Sequence, residues 1–249
     1  MDSQFKLPTE TVELPSKGLL YPEDSPLAKG EIEMKYMTAK EEDILTNANY
    51  INKGVVIDKL LQSLIVTPNV NYNDLLIGDK NAIMVAARVL SYGKDYEFSY
   101  RGENVSIDLT TIEPKEVNYS LFESKKNEFE FTLPASGNVV TFKLLTHNDE
   151  RNIDRELEGL KKINKEAAPE VTTRLKYMIT SVNGLREPKD IRQFVDNYML
   201  AKDARALREE YSKISPDVNL VFNFEGEDGV EEGIDLPIGI TFFWPDARV

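Results

Sequence analysis

The chain has 249 residues, no cysteine and one histidine, so it lacks the residues for a thiolate metal cluster, a disulfide, a cysteine nucleophile or a multi-histidine site. Its net charge of −13 disfavours DNA and anionic membranes as main partners, because carboxylates repel phosphate. No apolar run approaches the roughly 18 residues that cross a bilayer. The first residues lack a signal-peptide pattern, so we expect a cytosolic protein without a membrane partner.

The first 29 residues are rich in proline, which cannot donate a hydrogen bond to a β-ladder and disfavours helix in the residue before it. We therefore predict an extended arm over residues 1–29, with Thr11–Leu14 as an edge strand. Two roles are open for this arm. It either lines its own domain or reaches a neighbouring protein, where strand addition supplies directional backbone bonds.

A strand and a short capped helix follow the arm. Alternating apolar and polar side chains predict a half-buried strand at Glu31–Tyr36. Thr38 and Glu41 have the spacing of a capping box, in which each side chain bonds to the backbone of the other residue. This pair predicts a helix that ends near Leu45.

The most apolar helix is predicted next. Apolar residues at helical spacing over residues 57–65 indicate an amphipathic helix. Asp79 is predicted to cap the following helix, which ends at Gly93. Few side chains between these two residues are polar, so we expect this helix at the centre of the N-terminal core.

The pattern then changes to a period of two, which is typical of strands. Residues 96–109 alternate around a turn at Gly102 and predict a β-hairpin. A second hairpin is predicted from the strands Glu128–Thr132 and Val139–Leu145. Both hairpins precede a second helical region.

Four helical patterns and two strands are predicted in the last hundred residues. A charged helix begins at Thr146, with Asp149 as a weak capping partner, and runs to about Lys165. Three amphipathic stripes follow at Leu175–Val182, Ile191–Met199 and Ala201–Ile214. Strands return at Asn219–Phe224 and at about Gly233–Phe243.

This order of elements predicts an α+β fold: an N-terminal extended arm, a helical core with antiparallel β-hairpins, and C-terminal helices followed by a β-hairpin. We divide the chain into the arm at residues 1–29, an N-terminal α+β domain at 30–115 and a C-terminal α+β domain at 116–249. No low-complexity linker marks the boundary between the last two, so a single domain is the alternative.

No group of residues has the layout of an active site. Phosphate-binding loops, nucleophile elbows and calcium loops are absent from the sequence. Asp149, Glu150 and Asp154 cluster near His147, but acidic residues are expected at a helix start from the helix dipole. The acidic run at residues 225–232 is typical of a solvated hairpin tip, with docking to a basic partner as the alternative. We therefore predict no catalytic residue, no metal ligand and no cofactor.

Apolar and aromatic residues in two segments are the candidates for binding a partner. The run at residues 242–245 contains the only tryptophan. It is either a strand anchored in the core or an interface hot spot, since aromatic side chains dominate interface energies. The candidate partner-binding residues are Leu19, Tyr21, Tyr36, Phe242, Phe243 and Trp244.

Three blocks of the sequence resemble a family of tailed-phage baseplate proteins, namely Leu14–Pro22, Gly30–Leu45 and Pro237–Pro245. The chain is similar to the baseplate hub and hub-assembly proteins of T-even-type phages. The resemblance implies a structural or chaperone role in building the hub of a contractile tail, without catalysis. It implies other hub or tail proteins as partners, with the tape-measure protein as a further candidate. It also implies assembly in the host cytoplasm, with retention in the virion baseplate as an open alternative.

Two regions of the sequence echo each other: Tyr96–Leu109 and Val221–Leu236 both combine an aromatic-alternating strand, a glycine turn and the residues Ile-Asp-Leu. The echo indicates either an ancestral duplication of a hairpin or the ordinary pattern of exposed hairpins. This chain departs from the family pattern in these two regions. Many relatives carry Cys-x-x-Cys pairs there, which look like halves of a zinc knuckle. The matching stretches here are Arg101–Asn104 and Glu225–Gly229, which contain no thiolate, so the resemblance does not carry a zinc site over. Hydrogen bonds and packing must then replace metal ligation.

A carboxylate-dependent hydrolase that cuts cell-wall polymer is the alternative function. It requires two carboxylates across a cleft, one of them with a raised pKa. Asp149 and Glu150 are the candidates. Adjacent helical residues point about 100° apart, however, so they pair poorly across a substrate.

Overall fold

Small antiparallel sheets alternate with helices along the chain, which confirms the predicted α+β class. The computed structural model describes residues 7–122, 125–163, 169–226 and 229–243. The strands are β1 (Thr9–Glu13), β2 (Glu31–Lys35), β3 (Asp95–Tyr100), β4 (Glu103–Asp108), β5 (Phe129–Thr132), β6 (Val139–Phe142), β7 (Ile179–Val182), β8 (Val221–Gly226) and β9 (Gly229–Asp235). The helices are α1 (Ala39–Leu45), α2 (Ala48–Asn52), α3 (Val56–Leu64), α4 (Ile77–Tyr92), α5 (His147–Ile163), α6 (Glu170–Met178), α7 (Pro188–Asn197), α8 (Ala201–Ile214) and α9 (Ile240–Phe243). In these ranges, no helix is both long and apolar enough to span a bilayer.

The proline-rich segment lines its own domain, so the described part of the predicted arm belongs to the core. Strand β1 pairs antiparallel with β2, and the chain between them buries Leu14, Leu20 and Leu27. Gly18 and Gly30 let this segment fold tightly on itself. A Cβ atom on Gly18 would lie 2.5 Å from the Ala28 carbonyl oxygen. The prolines between the two strands therefore lie in or beside turns and do not form an arm that extends away from the domain. The three buried leucines hold the segment against the core.

The predicted capping box is present at the start of α1. The Thr38 N–H donates to the Glu41 carboxylate at 3.0 Å, and the Thr38 hydroxyl donates to it at 2.6 Å. Lys35 forms an ion pair with Glu41 at 2.7 Å, and Glu41 is buried. Hydrogen bonds from Lys35 and Thr38 outweigh the effect of burial, which alone would raise the pKa, so the pKa of Glu41 is lowered. The predicted end of this helix at Leu45 is also confirmed.

Helix α4 lies in the core as predicted, but Asp79 does not cap it. The helix begins two residues before Asp79, and Leu76 occupies the capping position. Leu76 has no side-chain oxygen, so the cap comes from backbone conformation alone. The Asp79 carboxylate bonds instead to the proline-rich segment. The predicted end at Gly93 is confirmed, since its N–H bonds to the Val89 carbonyl at 3.0 Å.

Two of the C-terminal predictions need correction. The stripe at Leu175–Val182 is not one helix, because α6 ends at Met178 and Ile179–Val182 forms β7, paired antiparallel with β6. The β-branched residues of this stretch are compatible with either a helix or a strand. They form a strand because the edge of β6 is available for backbone pairing. The predicted strand at Gly233–Phe243 is also interrupted. Beyond β9, Pro237 cannot continue a ladder, and the chain closes with the short helix α9.

One cluster of buried side chains contains residues from all three predicted segments, for example Leu14, Ile83 and Phe142. An isolated bridge joins Pro114 to Val218, so backbone pairing also crosses the predicted boundary. A second, smaller cluster lies between the hairpins β3–β4 and β8–β9. These hairpins are the two regions that echo each other in sequence.

We expect Gly78→Ala to lower the free energy of unfolding by about 3 kcal/mol. A Cβ atom on Gly78 would lie 1.9 Å from the Pro216 carbonyl oxygen, so α4 and the segment after α8 would have to separate. Gly159→Ala in α5 is the matched control, because its Cβ meets no described atom within 4 Å. Alanine there should stabilise the helix by up to about 1 kcal/mol. Urea denaturation measures both, and equal stability of the two variants would contradict the contact.

Candidate functional site

A buried carboxylate fastens the proline-rich segment to α4. Asp79 is fully buried and accepts hydrogen bonds from the Ser16 N–H at 2.9 Å, the Ser16 hydroxyl at 2.7 Å and the Tyr21 hydroxyl at 2.6 Å. The Tyr21 oxygen in turn accepts the Leu76 N–H at 2.9 Å. Burial raises the pKa of Asp79, and the donors from Ser16 and Tyr21 oppose that effect. The donors all stabilise the ionised form. We call Asp79, Ser16 and Tyr21 the lock, because their hydrogen bonds hold the proline-rich segment against α4.

The single histidine belongs to a second polar cluster, which joins α3, α4 and α5. His147 Nε2 lies 3.4 Å from Asp58 Oδ2, and its Nδ1 lies 3.3 Å from Lys80 Nζ. Asp58 also receives the Lys80 ammonium at 2.8 Å and the Tyr72 hydroxyl at 3.0 Å. The Tyr72 ring packs edge-on against the imidazole, with centroids 4.7 Å apart. These four residues are far apart in sequence, and no local spacing reveals their contact.

Burial and the neighbouring Lys80 lower the pKa of His147 to about 4, although Asp58 opposes the shift. The imidazole is therefore neutral near pH 7. It is 3% exposed, and its ring nitrogens face Lys80 and Asp58. Lys80 and Tyr72 bond within this network, but among the described residues His147 Nε2, 3.4 Å from Asp58 Oδ2, has no hydrogen-bond partner.

We expect acid to destabilise the protein through this histidine. In the unfolded chain His147 binds a proton at its ordinary pKa of 6.5, whereas the folded chain resists it down to about 4. Stability that is fully present above pH 6.5 is therefore lost as the pH falls toward 4, by up to about 3 kcal/mol. Urea denaturation across this range should show a shallower pH dependence for His147→Gln than for the native chain. Parallel curves would contradict the prediction.

The two carboxylates of the hydrolase alternative serve different ion pairs. Asp149 accepts the Lys143 ammonium at 2.8 and 2.9 Å and the Thr146 N–H at 3.0 Å, so the weak capping pattern is confirmed. Glu150 forms a bidentate ion pair with the Arg174 guanidinium, whose two nitrogens lie 2.7 and 3.0 Å from the carboxylate oxygens. Each carboxylate is balanced by its own cation, and this geometry offers the hydrolase alternative no support. Among the described residues, no group of three or more histidine, aspartate or glutamate side chains is placed to hold a metal ion.

The two echoing hairpins pack face to face. Phe222 lies 5.0 Å from Phe98 and 5.3 Å from Tyr100, measured between ring centroids, in edge-to-face contacts. Tyr100 also meets Phe224 at 5.1 Å. Edge-to-face aromatic pairs stabilise beyond the area that they bury. The aromatic alternation shared by the two sequences therefore produces one small core between the hairpins.

The hairpin tips are held by an ion pair and packing. Arg101 Nη2 lies 2.9 Å from Glu231 Oε2, and both line a cavity of about 380 Å³ together with Glu103 and Phe224. The stretches that match the cysteine pairs of relatives border the same cavity, because Gly226 and Gly229 line it together with Arg101 and Glu103. A guanidinium with carboxylates is not a zinc-ligand set, because zinc knuckles require thiolates or imidazoles. Residues 227 and 228 of the acidic run lie outside the described residues.

A family model described as T4 bacteriophage base plate protein matches residues 8–244. The chain belongs to this baseplate family. The match begins just before β1 and ends after α9, so it covers the proline-rich segment, both polar clusters and both hairpins. It confirms the resemblance at the level of a T4-type phage baseplate protein. No curated protein and no solved structure matches the chain.

Three of the six residues predicted to bind a partner lie inside this baseplate protein. Tyr21 is 5% exposed, and Phe242 and Phe243 are fully buried. The Phe242 ring meets the Tyr96 ring at 4.9 Å, so the described part of the aromatic run follows the core interpretation. These three side chains pack against their own chain. They belong to the core, so the prediction that they form an exposed binding surface is wrong.

The remaining candidates have different positions. Leu19 and Tyr36 are partly buried, and the Tyr36 hydroxyl donates to Glu10 at 3.2 Å. Of the candidates that the structure describes, these two retain exposed surface. Trp244 lies outside the described residues. The sequence could not separate these cases, because apolar residues in a core and at an interface have the same composition.

Proposed function

We propose that this baseplate protein acts through protein–protein contacts while the hub of a contractile tail is assembled. It is either a hub component or a hub-assembly chaperone, and its partners are other hub or tail proteins, with the tape-measure protein as a further candidate. It works in the host cytoplasm during assembly, and as a hub component it would remain in the virion baseplate. The family match over residues 8–244 carries this proposal.

The arrangement of ionisable groups supports a non-enzymatic role. Asp79 and His147 lie in buried networks, and Asp149 and Glu150 are balanced by cations. A general acid or base must instead reach a substrate in a cleft. We therefore propose that the protein catalyses no bond chemistry. Purified protein should release no fragments from bacterial cell wall, and release that Glu150→Gln abolishes would overturn this part of the proposal.

Deletion of the gene from the phage tests the assembly role. We expect infected cells to accumulate unassembled tail proteins and no complete baseplates, because a missing contact stops the steps that depend on it. Supplying the intact protein from a plasmid should restore tails. Tails that mature normally without the protein would refute the role.

Mass spectrometry of purified particles separates the two forms of the proposal. A hub component is present in mature particles at a fixed ratio to other baseplate proteins. A chaperone is present in assembly intermediates and absent from mature particles. Co-expression with single hub proteins, followed by pull-down, identifies the direct partner.

A further inference from the structure

One edge of the N-terminal sheet is unpaired in the described chain. Within the residues that the structure describes, this sheet consists of the two strands β1 and β2. The Tyr36 N–H bonds to the Pro8 carbonyl, and the Leu14 N–H bonds to the Gly30 carbonyl at 2.8 Å. In an antiparallel pair, residues alternate between bonding the partner strand and facing away. The even-numbered residues of β1 therefore bond to β2, and Thr9, Thr11 and Glu13 direct their N–H and C=O groups outward.

A groove of about 400 Å³ runs along this edge. Four consecutive residues of β1, from Glu10 to Glu13, line it. Side chains of a strand alternate between its two faces, so consecutive residues can share a groove only along the edge of the strand. Strand β2 covers the other edge, and the groove therefore follows the unpaired one. The exposed backbone groups and the groove belong to one surface.

Apart from Tyr36, the rest of the groove is apolar. Helix α4 contributes Ala82, Val85, Ala86, Val89 and Leu90, and the other apolar side chains come from Ile112 and Val218. Three of the α4 residues are only partly buried, which leaves apolar surface open beside the strand. An unpaired strand edge next to apolar surface is the arrangement that accepts an added strand.

The charge of the groove indicates which kind of segment would bind there. The charged residues in its lining are Glu10 and Glu13, both of them exposed, and its described lining includes no lysine or arginine. Glu10 shares a face of β1 with Val12, which packs against the core, and Glu13 lies on the opposite face. A complementary segment therefore presents apolar side chains to α4 on one face and basic side chains to Glu13 on the other.

We propose that an extended segment of another baseplate protein, with alternating apolar and basic residues, adds to β1 as a third strand. Backbone bonds to Thr9, Thr11 and Glu13 hold the segment in register, and α4 receives its apolar side chains. This inference specifies the surface for the proposed assembly role and rests on that role for the identity of the partner. It also reverses the expected direction of binding, because the N-terminal segment accepts a strand instead of providing one.

Peptide binding to the full chain tests the proposal. The probe is a fluorescent eight-residue peptide in which valine alternates with lysine, and the control peptide has glutamate in place of lysine. Fluorescence anisotropy should show saturable binding of the lysine peptide and at least about tenfold weaker binding of the glutamate peptide. A version of the lysine peptide with N-methylated backbone, which cannot donate to a strand edge, should also bind poorly.

Thr11→Pro is the decisive variant. It removes one outward N–H without touching the bonds to β2, since Thr11 does not bond that strand, and proline is tolerated at such edge positions. Affinity should fall about tenfold, as expected for one lost backbone bond. Thr11→Val is the matched control, because it keeps the N–H and should bind like the native chain. Glu13→Lys gives an independent test if Thr11→Pro does not fold, and it should weaken the lysine peptide while favouring the glutamate peptide.

Any of the following results would overturn the inference: no binding of the lysine peptide, equal binding of the glutamate or N-methylated peptide, or equal affinity of folded Thr11→Pro and Thr11→Val. Self-association that Thr11→Pro abolishes would identify a second copy as the occupant and would also overturn it. Gene deletion separates this failure from that of the assembly role. If deletion still blocks tail assembly while peptide binding fails, the role stands and the strand edge does not carry it.

Discussion

Asp79→Ala should lower the free energy of unfolding by about 3–5 kcal/mol, because each of several buried donors loses its acceptor. The substitution leaves the donors of Ser16 and Tyr21 buried without an acceptor, and it releases the proline-rich segment from α4. Tyr21→Phe removes one of these donors and also the acceptor of the Leu76 N–H, so it should cost a smaller amount, about 1–3 kcal/mol. Urea denaturation monitored by circular dichroism gives both values.

The control for Asp79 is Asp43→Ala, on the exposed surface of α1. It should change stability by no more than about 0.5 kcal/mol. A double-mutant cycle between Asp79→Ala and Tyr21→Phe should show strong coupling, because the two residues share one hydrogen bond. Additive effects, or an Asp79→Ala variant as stable as the control, would show that the lock contributes little to the fold.

Phe242→Ala should also cost about 3–5 kcal/mol, because the ring is fully buried and meets Tyr96 and Phe243 edge-to-face. Tyr198→Ala is the control, since its side chain is 63% exposed and its loss leaves no cavity. Thermal and urea unfolding measure both variants. A Phe242→Ala protein with native stability but impaired binding of hub proteins would restore the interface interpretation.

Local patterns predicted much of the secondary structure. The capping box of α1, the end of α4 at Gly93 and the turn at Gly102 all depend on residues within a few positions of each other. Such signals survive in a single sequence because the physical cause is local. Hydrophobic periodicity placed α3, α7 and α8 for the same reason.

Contacts between distant residues account for what was mispredicted. Asp79 has the chemistry of a helix cap, but its partners Ser16 and Tyr21 lie about 60 residues away along the chain. The prolines of the first segment indicated extended chain, and nothing local showed that its leucines are buried in the core. Strand β7 likewise depends on the edge of β6, which its own sequence does not contain.

The polar cluster around His147 shows the same limit. Asp149 and Glu150, which are close to it in sequence, form ion pairs with Lys143 and Arg174, respectively. Its actual neighbours, Asp58 and Lys80, come from two other helices. The hairpins were more predictable. Their shared aromatic alternation indicated two similar elements, although only the structure shows that they pack together.

Helix α4 is contacted both by β1, near the beginning of the described chain, and by α9, near its end. During translation the first of these contacts can form early, whereas the second must wait until residue 243 has left the ribosome tunnel. A nascent or prematurely terminated chain would therefore leave α4 incompletely covered and vulnerable to proteases. The cell would then retain mainly finished copies of the protein.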